Sequence, residues 1–281
     1  MKTKKMILAL LITAATWSSC KKDDAAVPEL AKPTAQNLEI GTNNNKRGII
    51  GADFHLNADI VAGDKIDNVT VRIAQKTTET YTAAWKFEVS WETYKGAKNT
   101  NIHKHFDIPA DAPKGKYDFF LIVTDQNGTK LEIREDFTIL AAADLPFNPT
   151  FTFRNVPTDN QVYKKGESII ARFSVNNVRD EGTLCAVLIK ESAKHYPETV
   201  SKIDFSKAIT LGNYTDSTTP SWGMFNTLVV GAEVDYAVPA PLPISAAKAW
   251  ESGRYNLLLI YENKVHNISI HKSIPITINY Q

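Results

Sequence analysis

"KGKYDFFLIVTDQNGTKLEIREDFTI" (residues 114–139) decides the fold. Its first half is an apolar run of strand length, and "DQNG" supplies the residue types that tight turns demand. The second half, "KLEIREDFTI", alternates polar and apolar side chains with the period of two that a half-buried strand requires. The same plan returns in "SGRYNLLLIYENKVHNISIHKSIPITI" (252–278): Gly, a basic residue, Tyr, an apolar strand, a polar turn, a final strand. Working outward, "GADFHLNADIVAG" (51–63) is echoed by "GESIIARFSVNNV" (166–178), and "IDNVTVRIAQ" and "WKFEVSW" add further short runs. Helical periodicity is nearly absent. Short strands at this spacing, punctuated by Gly, Pro, Asn and Asp, predict an all-β chain of sandwiches or barrels.

Two copies of one supersecondary plan predict two tandem domains. Tyr117 and Tyr255 each open a strand just after a turn. There the ring can pack on the end of a sandwich while the hydroxyl bonds back to the corner backbone, as in the tyrosine corner of immunoglobulin-like domains. The expected architecture is therefore two immunoglobulin-like β-sandwiches, at 35–140 and 150–281, the second a divergent repeat. "LAAADLPFNP" (140–149) reads as the joint, with the linker at 141–149.

The N-terminus predicts an address. "MKTKK" is basic, "MILALLITAATW" is apolar but shorter than the roughly 20 residues that span a bilayer, and "WSSC" ends in small residues before Cys20. This resembles a bacterial lipoprotein signal peptide (1–19), with Cys20 lipidated and anchored in the outer membrane through several acyl chains. The tether (20–34) begins "CKKDD", which resembles the surface-export signal of Bacteroidetes lipoproteins and implies display on the cell surface. "DST" (216–218) resembles the O-glycosylation acceptor of such bacteria. Removing the signal peptide takes away Lys2, Lys4 and Lys5, so a formal charge of +1 becomes about −2. That balance leaves no electrostatic footprint for nucleic acid. Cys185, in the apolar run "GTLCAVLIK", is expected as a small core residue.

The chemistry-bearing residues are histidines. In "IHKHFDIP" (102–109) alternation sends Ile102, Lys104, Phe106 and Ile108 to one face and His103, His105 and Asp107 to the other. In "DFHLNADI" (53–60) Phe54, Leu56, Ala58 and Ile60 point inward, leaving Asp53, His55, Asn57 and Asp59 outward. These segments fall second and fifth among the strands, positions that neighbour each other in an immunoglobulin-like sheet. His55 then faces His103 or His105, about 5 Å away, in an outward stripe on an open sheet face. Three imidazoles with flanking carboxylates suit Zn²⁺, Cu²⁺ or Ni²⁺.

"GADFHLNADI", the Trp and Phe of "WKFEVSW", "NIHKHFDIPADAPKGKY" and "VTDQNG" together resemble a Bacteroidetes lipoprotein family known as domain of unknown function 4625, over residues 35–140. The resemblance implies recurrence of His55, His103 and His105. The family's further histidines are replaced here by "DFF" (118–120) and Ala74. In the second copy Ile170 stands where His55 would and "APLPIS" is matched to "HKHFDIP", while His195, His266 and His271 are expected on the surface. Trp222, in the Gly/Pro/Ser loop "PSWGMF", and Trp250, near a turn, are candidates for glycan stacking or for plugging the sandwich end. No nucleophile elbow, P-loop, dinucleotide fingerprint or HExxH motif occurs. The expected function is thus non-enzymatic: binding of a transition metal, or a metal-bearing molecule such as haem, for hand-over to an outer-membrane transporter. The alternatives are glycan capture through Trp222 and Trp250, or a structural or adhesive role.

Overall fold

The computed structural model describes residues 30–216 and 219–281. The signal peptide, Cys20, most of the tether, and Ser217 and Thr218 of "DST" lie outside the described residues. The first sandwich runs β1 (Thr34–Ile40), β2 (Arg47–Ile49), β3 (Asp53–Val61), β4 (Ile66–Gln75), β5 (Lys86–Trp91), β6 (Asn99–Asp107), β7 (Gly115–Asp125) and β8 (Lys130–Leu140). One sheet is ordered β1-β3-β6, the other β2-β8-β7-β4-β5. The second comprises β9 (Thr150–Asn155), β10 (Gln161–Lys164), β11 (Ser168–Asn176), β12 (Gly182–Lys190), β13 (Ala208–Asp216), β14 (Ser221–Val229), β15 (Gly253–Asn263) and β16 (Ile268–Asn279). Its sheets, β9-β11-β14 and β10-β16-β15-β12-β13, repeat the first plan strand for strand. Both copies even share the parallel edge pairing, β2 with β8 and β10 with β16. Two immunoglobulin-like sandwiches are what the sequence predicts.

Alternation builds each core. Phe54, Leu56, Ala58 and Ile60 of β3 are buried against Phe119, Leu121 and Val123 of β7. In the second copy Ile169, Ala171, Phe173 and Val175 of β11 meet Leu257, Leu259 and Tyr261 of β15. Each large apolar side chain so buried contributes about 1.5–3 kcal/mol relative to exposure. Lys104, on the inward set of the edge strand β6, lays its ammonium over the rings of Trp91 and Tyr94, 5.8 and 5.3 Å from their centroids. Cys185 is buried, and burial pushes its thiol up to about 12, which keeps it protonated and inert.

Both tyrosine corners are present. The buried Tyr117 donates from its hydroxyl to the Pro113 carbonyl at 2.6 Å, and Tyr255 to the Glu251 carbonyl at 3.1 Å. Each bond spans four residues and closes the turn before a central strand. Tyr117→Phe should therefore cost about 1 kcal/mol, because the Pro113 carbonyl loses its donor with no change in packing. A urea midpoint lowered at unchanged slope would show it; an unmoved midpoint would make the corner ornamental.

Two expectations about the second copy are corrected. "APLPIS" (240–245) lies in the connection between β14 and β15, and the counterpart of β6 is β14, which pairs with β11 along its whole length. Trp222 consequently sits on a strand, opposite Val175, partly buried against the core. Trp250 is buried, with its indole N–H donating to the Ala232 carbonyl at 3.0 Å. Its ring plugs the sandwich end and presents no face for a sugar.

The segment 191–207, between β12 and β13, folds back over the outer face of its own sheet. Val200, Ile203 and Phe205 cover Cys185, Val187, Ile189, Leu258 and Ile260. Ser201 pins it further, its amide and hydroxyl both donating to the Glu262 carboxylate at 2.8 Å. This segment and β16 meet the first sandwich. Asn43 donates to Glu262 at 3.0 Å, Thr199 to Asn43 at 3.1 Å, and Lys202 pairs with Glu39 at 3.5 Å. Residues 31–281 accordingly form one unit.

Candidate metal centre

The register of β3 with β6 sets His55 directly opposite His105 and Asn57 opposite His103. The three imidazoles therefore share one patch, with ring centroids 5.2–5.4 Å apart. This is the predicted stripe, with His105 the direct partner of the two that the sequence left open for His55. Its surroundings differ from the expectation of an open sheet face: the patch is covered by the second sandwich. Segment 191–207 delivers Glu198, whose Oε1 lies 2.8 Å from His55 Nδ1, 3.5 Å from His103 Nε2 and 2.7 Å from His105 Nε2. His271, on β16, brings its ring to 6.2 Å from that of His105. His271 is thus half-buried at the junction and not a surface residue. His195 also has a local role, its Nε2 accepting from the Asp204 amide at 2.8 Å, and His266 pairs with Asp180 at 2.6 Å. Sequence reasoning missed Glu198 altogether.

Four ligand atoms, one each from His55, His103, His105 and Glu198, lie within 4.8 Å of one another. A tetrahedral ion bonded at about 2.0–2.1 Å holds its ligand atoms about 3.3 Å apart, so shifts of about an ångström or less would seat one. The supporting shell suits a metal as well. Asp53 Oδ2 is 2.6 Å from His105 Nδ1, which fixes the proton on that nitrogen and turns Nε2 toward Glu198. Glu39, 4.0 Å from His55 Nε2, approaches that ring from the side away from Glu198.

Burial and charge explain the electrostatics. Burial alone would raise the Glu198 carboxyl, but hydrogen bonding to His105 and the close approach of His55 hold it well below the usual carboxylate range. His105, bonded to Asp53 and then to Glu198, is pushed up to about 10, so it is an imidazolium at neutral pH. His103 moves the other way: burial lowers it, against the pull of Glu198. His271 is likewise lowered by burial. Two atoms remain unmatched. His55 Nδ1 and Glu198 Oε2 are buried without a hydrogen-bond partner among the described residues, because the 2.8 Å contact from His55 to Glu198 is out of line for a hydrogen bond.

The cluster sits between two clefts. One, of about 310 Å³, opens past Asp53, Arg47 and His271; the other, of about 630 Å³, opens past His103, Tyr196 and Lys202. His55 and Glu198 line both.

Residues 18–140 match the family model described as domain of unknown function (DUF4625). No curated protein matches the chain. Among solved structures, dimeric latent PorU from Porphyromonas gingivalis is similar at 10% identity and a TM-score of 0.36, over 90% of this chain and 21% of that one. The chain thus spans about a fifth of the PorU chain's length. The N-terminal Ig1-2 module of the Drosophila receptor protein tyrosine phosphatase DLAR is similar at 11% identity and a TM-score of 0.36, over 89% of this chain and 99% of that one.

Proposed function

We propose that this chain, whose residues 18–140 match the DUF4625 family model, binds a divalent transition metal through His55, His103, His105 and Glu198. The observation that carries the reading is convergence on one point: three ring nitrogens from β3 and β6 around one carboxylate oxygen from the second sandwich. Zn²⁺, Cu²⁺ and Ni²⁺ suit a set of imidazoles with one carboxylate. The competing account is an ion-pair network that merely joins the sandwiches. It explains His105, which satisfies Asp53 and Glu198 at once, but leaves His55 Nδ1 buried and unmatched. Glycan capture has lost Trp250 to the core. In this reading the protein binds its cargo without transforming it. A lipid at Cys20 holds it on the outer face of the outer membrane, where a transporter takes the metal onward. Calorimetric titration of Zn²⁺, Cu²⁺ and Ni²⁺ into tag-free protein tests the site. Micromolar or tighter binding at one metal per chain supports it, and no heat at millimolar metal ends it.

The affinity should depend on pH in a particular direction. Nε2 of His105 must shed a proton to bind metal, and that ring is held near 10 without one, above its ordinary value. Metal and proton therefore compete below that pH. Zinc affinity is expected to rise about tenfold per pH unit from about pH 7 and to level off near 10. His103, already below its ordinary value, adds no competition at neutral pH. Competition with a chromophoric chelator at two pH values reads this directly. A flat profile would remove His105 from the ligand set.

A further inference from the structure

The larger cleft has a chemistry of its own once a dication is in place, an argument that rests on the metal reading above. Its charged lining consists of Glu39 and Glu198 against Lys194 and Lys202, which offset one another. A dication held by neutral imidazoles adds two positive charges that nothing in those walls cancels. The smaller cleft is different, because Asp53 and Glu198 outweigh Arg47 there. An anion approaching the metal is therefore favoured from the Lys194–Lys202 side. About 630 Å³ is the volume of a small-molecule pocket, not of a single water path. Tyr196, about half exposed, offers an aromatic wall with its ring centroid 6.4 Å from that of His103. Four protein ligands close a tetrahedral zinc site, but Ni²⁺ and Co²⁺ readily take five or six ligands, which leaves such a metal open to an incoming oxygen.

We infer that the cleft between His103 and segment 191–207 seats a small carboxylate-bearing molecule, which binds together with the metal and ligates it. The protein then takes up a metal complex of an organic acid in preference to the bare ion. Lys194 and Lys202 hold the anion's charge, and Tyr196 packs on its carbon skeleton.

Cobalt(II) makes the inference visible, since its d–d bands respond to added ligands. Malonate is the probe, titrated into the cobalt-loaded full chain and into Lys194→Ala/Lys202→Ala, neither lysine being a metal ligand. The bands of the parent protein are expected to shift saturably. The double variant should need about tenfold more malonate, equivalent to about 1.4 kcal/mol, at unchanged cobalt affinity. Cobalt bound but bands unmoved, cobalt stripped by malonate, or identical titrations of parent and variant would each overturn the inference while leaving the metal site standing. Failure to bind cobalt at all would overturn both.

Discussion

Replacing His103 and His105 together by alanine is expected to weaken zinc binding about ten-thousandfold. A four-ligand zinc site in a small protein is worth about 10–16 kcal/mol at neutral pH, so each ligand carries about 3 kcal/mol and two carry about 6. Both side chains are about a third exposed, so no core packing goes with them. The double change does, however, strip Glu198 of the hydrogen bond from His105 and leave a buried carboxylate poorly paired. His103→Gln/His105→Gln guards against a folding defect, because each amide can donate to Glu198 while ligating metal far less well than imidazole. Both variants should lose zinc, and the glutamine pair should keep the metal-free unfolding midpoint. Either double variant binding zinc within tenfold of the parent protein would sink the site. Glu198→Ala has a separate signature. It should cost about a hundredfold in affinity and also break the only ligand link to the second sandwich, so zinc should stabilise the first sandwich alone.

The histidines were legible and Glu198 was not, for a physical reason. The period of two assigns faces along β3 and β6, and the immunoglobulin-like order makes those strands neighbours, so His55 near His103 and His105 follows from local pattern plus topology, while the choice of His105 as its direct partner is set by the register of the folded sheet. Glu198 lies in "ESAKHYPETVSKIDFSK", which has no periodicity and several equivalent carboxylates and hydroxyls. Only the packing of Val200, Ile203 and Phe205 on the sheet beneath decides which of them reaches the first sandwich. His271 shows the same limit from the other side. Alternation on β16 turns it away from its own core correctly, but nothing local says that another domain covers that face. Trp222 was misplaced because Pro220 and Gly223 imitate a loop. Gly223 in fact serves the strand: a Cβ there would come within 2.7 Å of the Phe173 carbonyl oxygen, so close pairing of β14 with β11 demands its absence.

Asp235→Ala is expected to destabilise the second sandwich by about 3–5 kcal/mol, the loss seen when one member of a buried ion pair is removed. Asp235 is fully buried and Lys248 nearly so, with Oδ2 and Nζ 2.6 Å apart. The carboxylate also accepts the amides of Thr210, Ala237 and Leu242, tying the β14–β15 connection to the edge strand β13. Alanine would leave an ammonium and three N–H groups buried without their acceptor. Replacing both partners, as in Asp235→Leu/Lys248→Met, removes the stranded charge and should cost clearly less than the single change. The pair also predicts the acid limb of stability. Burial would raise the Asp235 carboxyl, but Lys248 and the three amides hold it below its ordinary value. Its contribution is therefore complete above the unfolded-state value of about 3.9 and drains away as pH falls through the lower folded-state value. Urea unfolding of the parent, the single and the double variant decides the matter. A single variant within about 1 kcal/mol of the parent would show that water reaches Lys248 and that the connection is not held by charge.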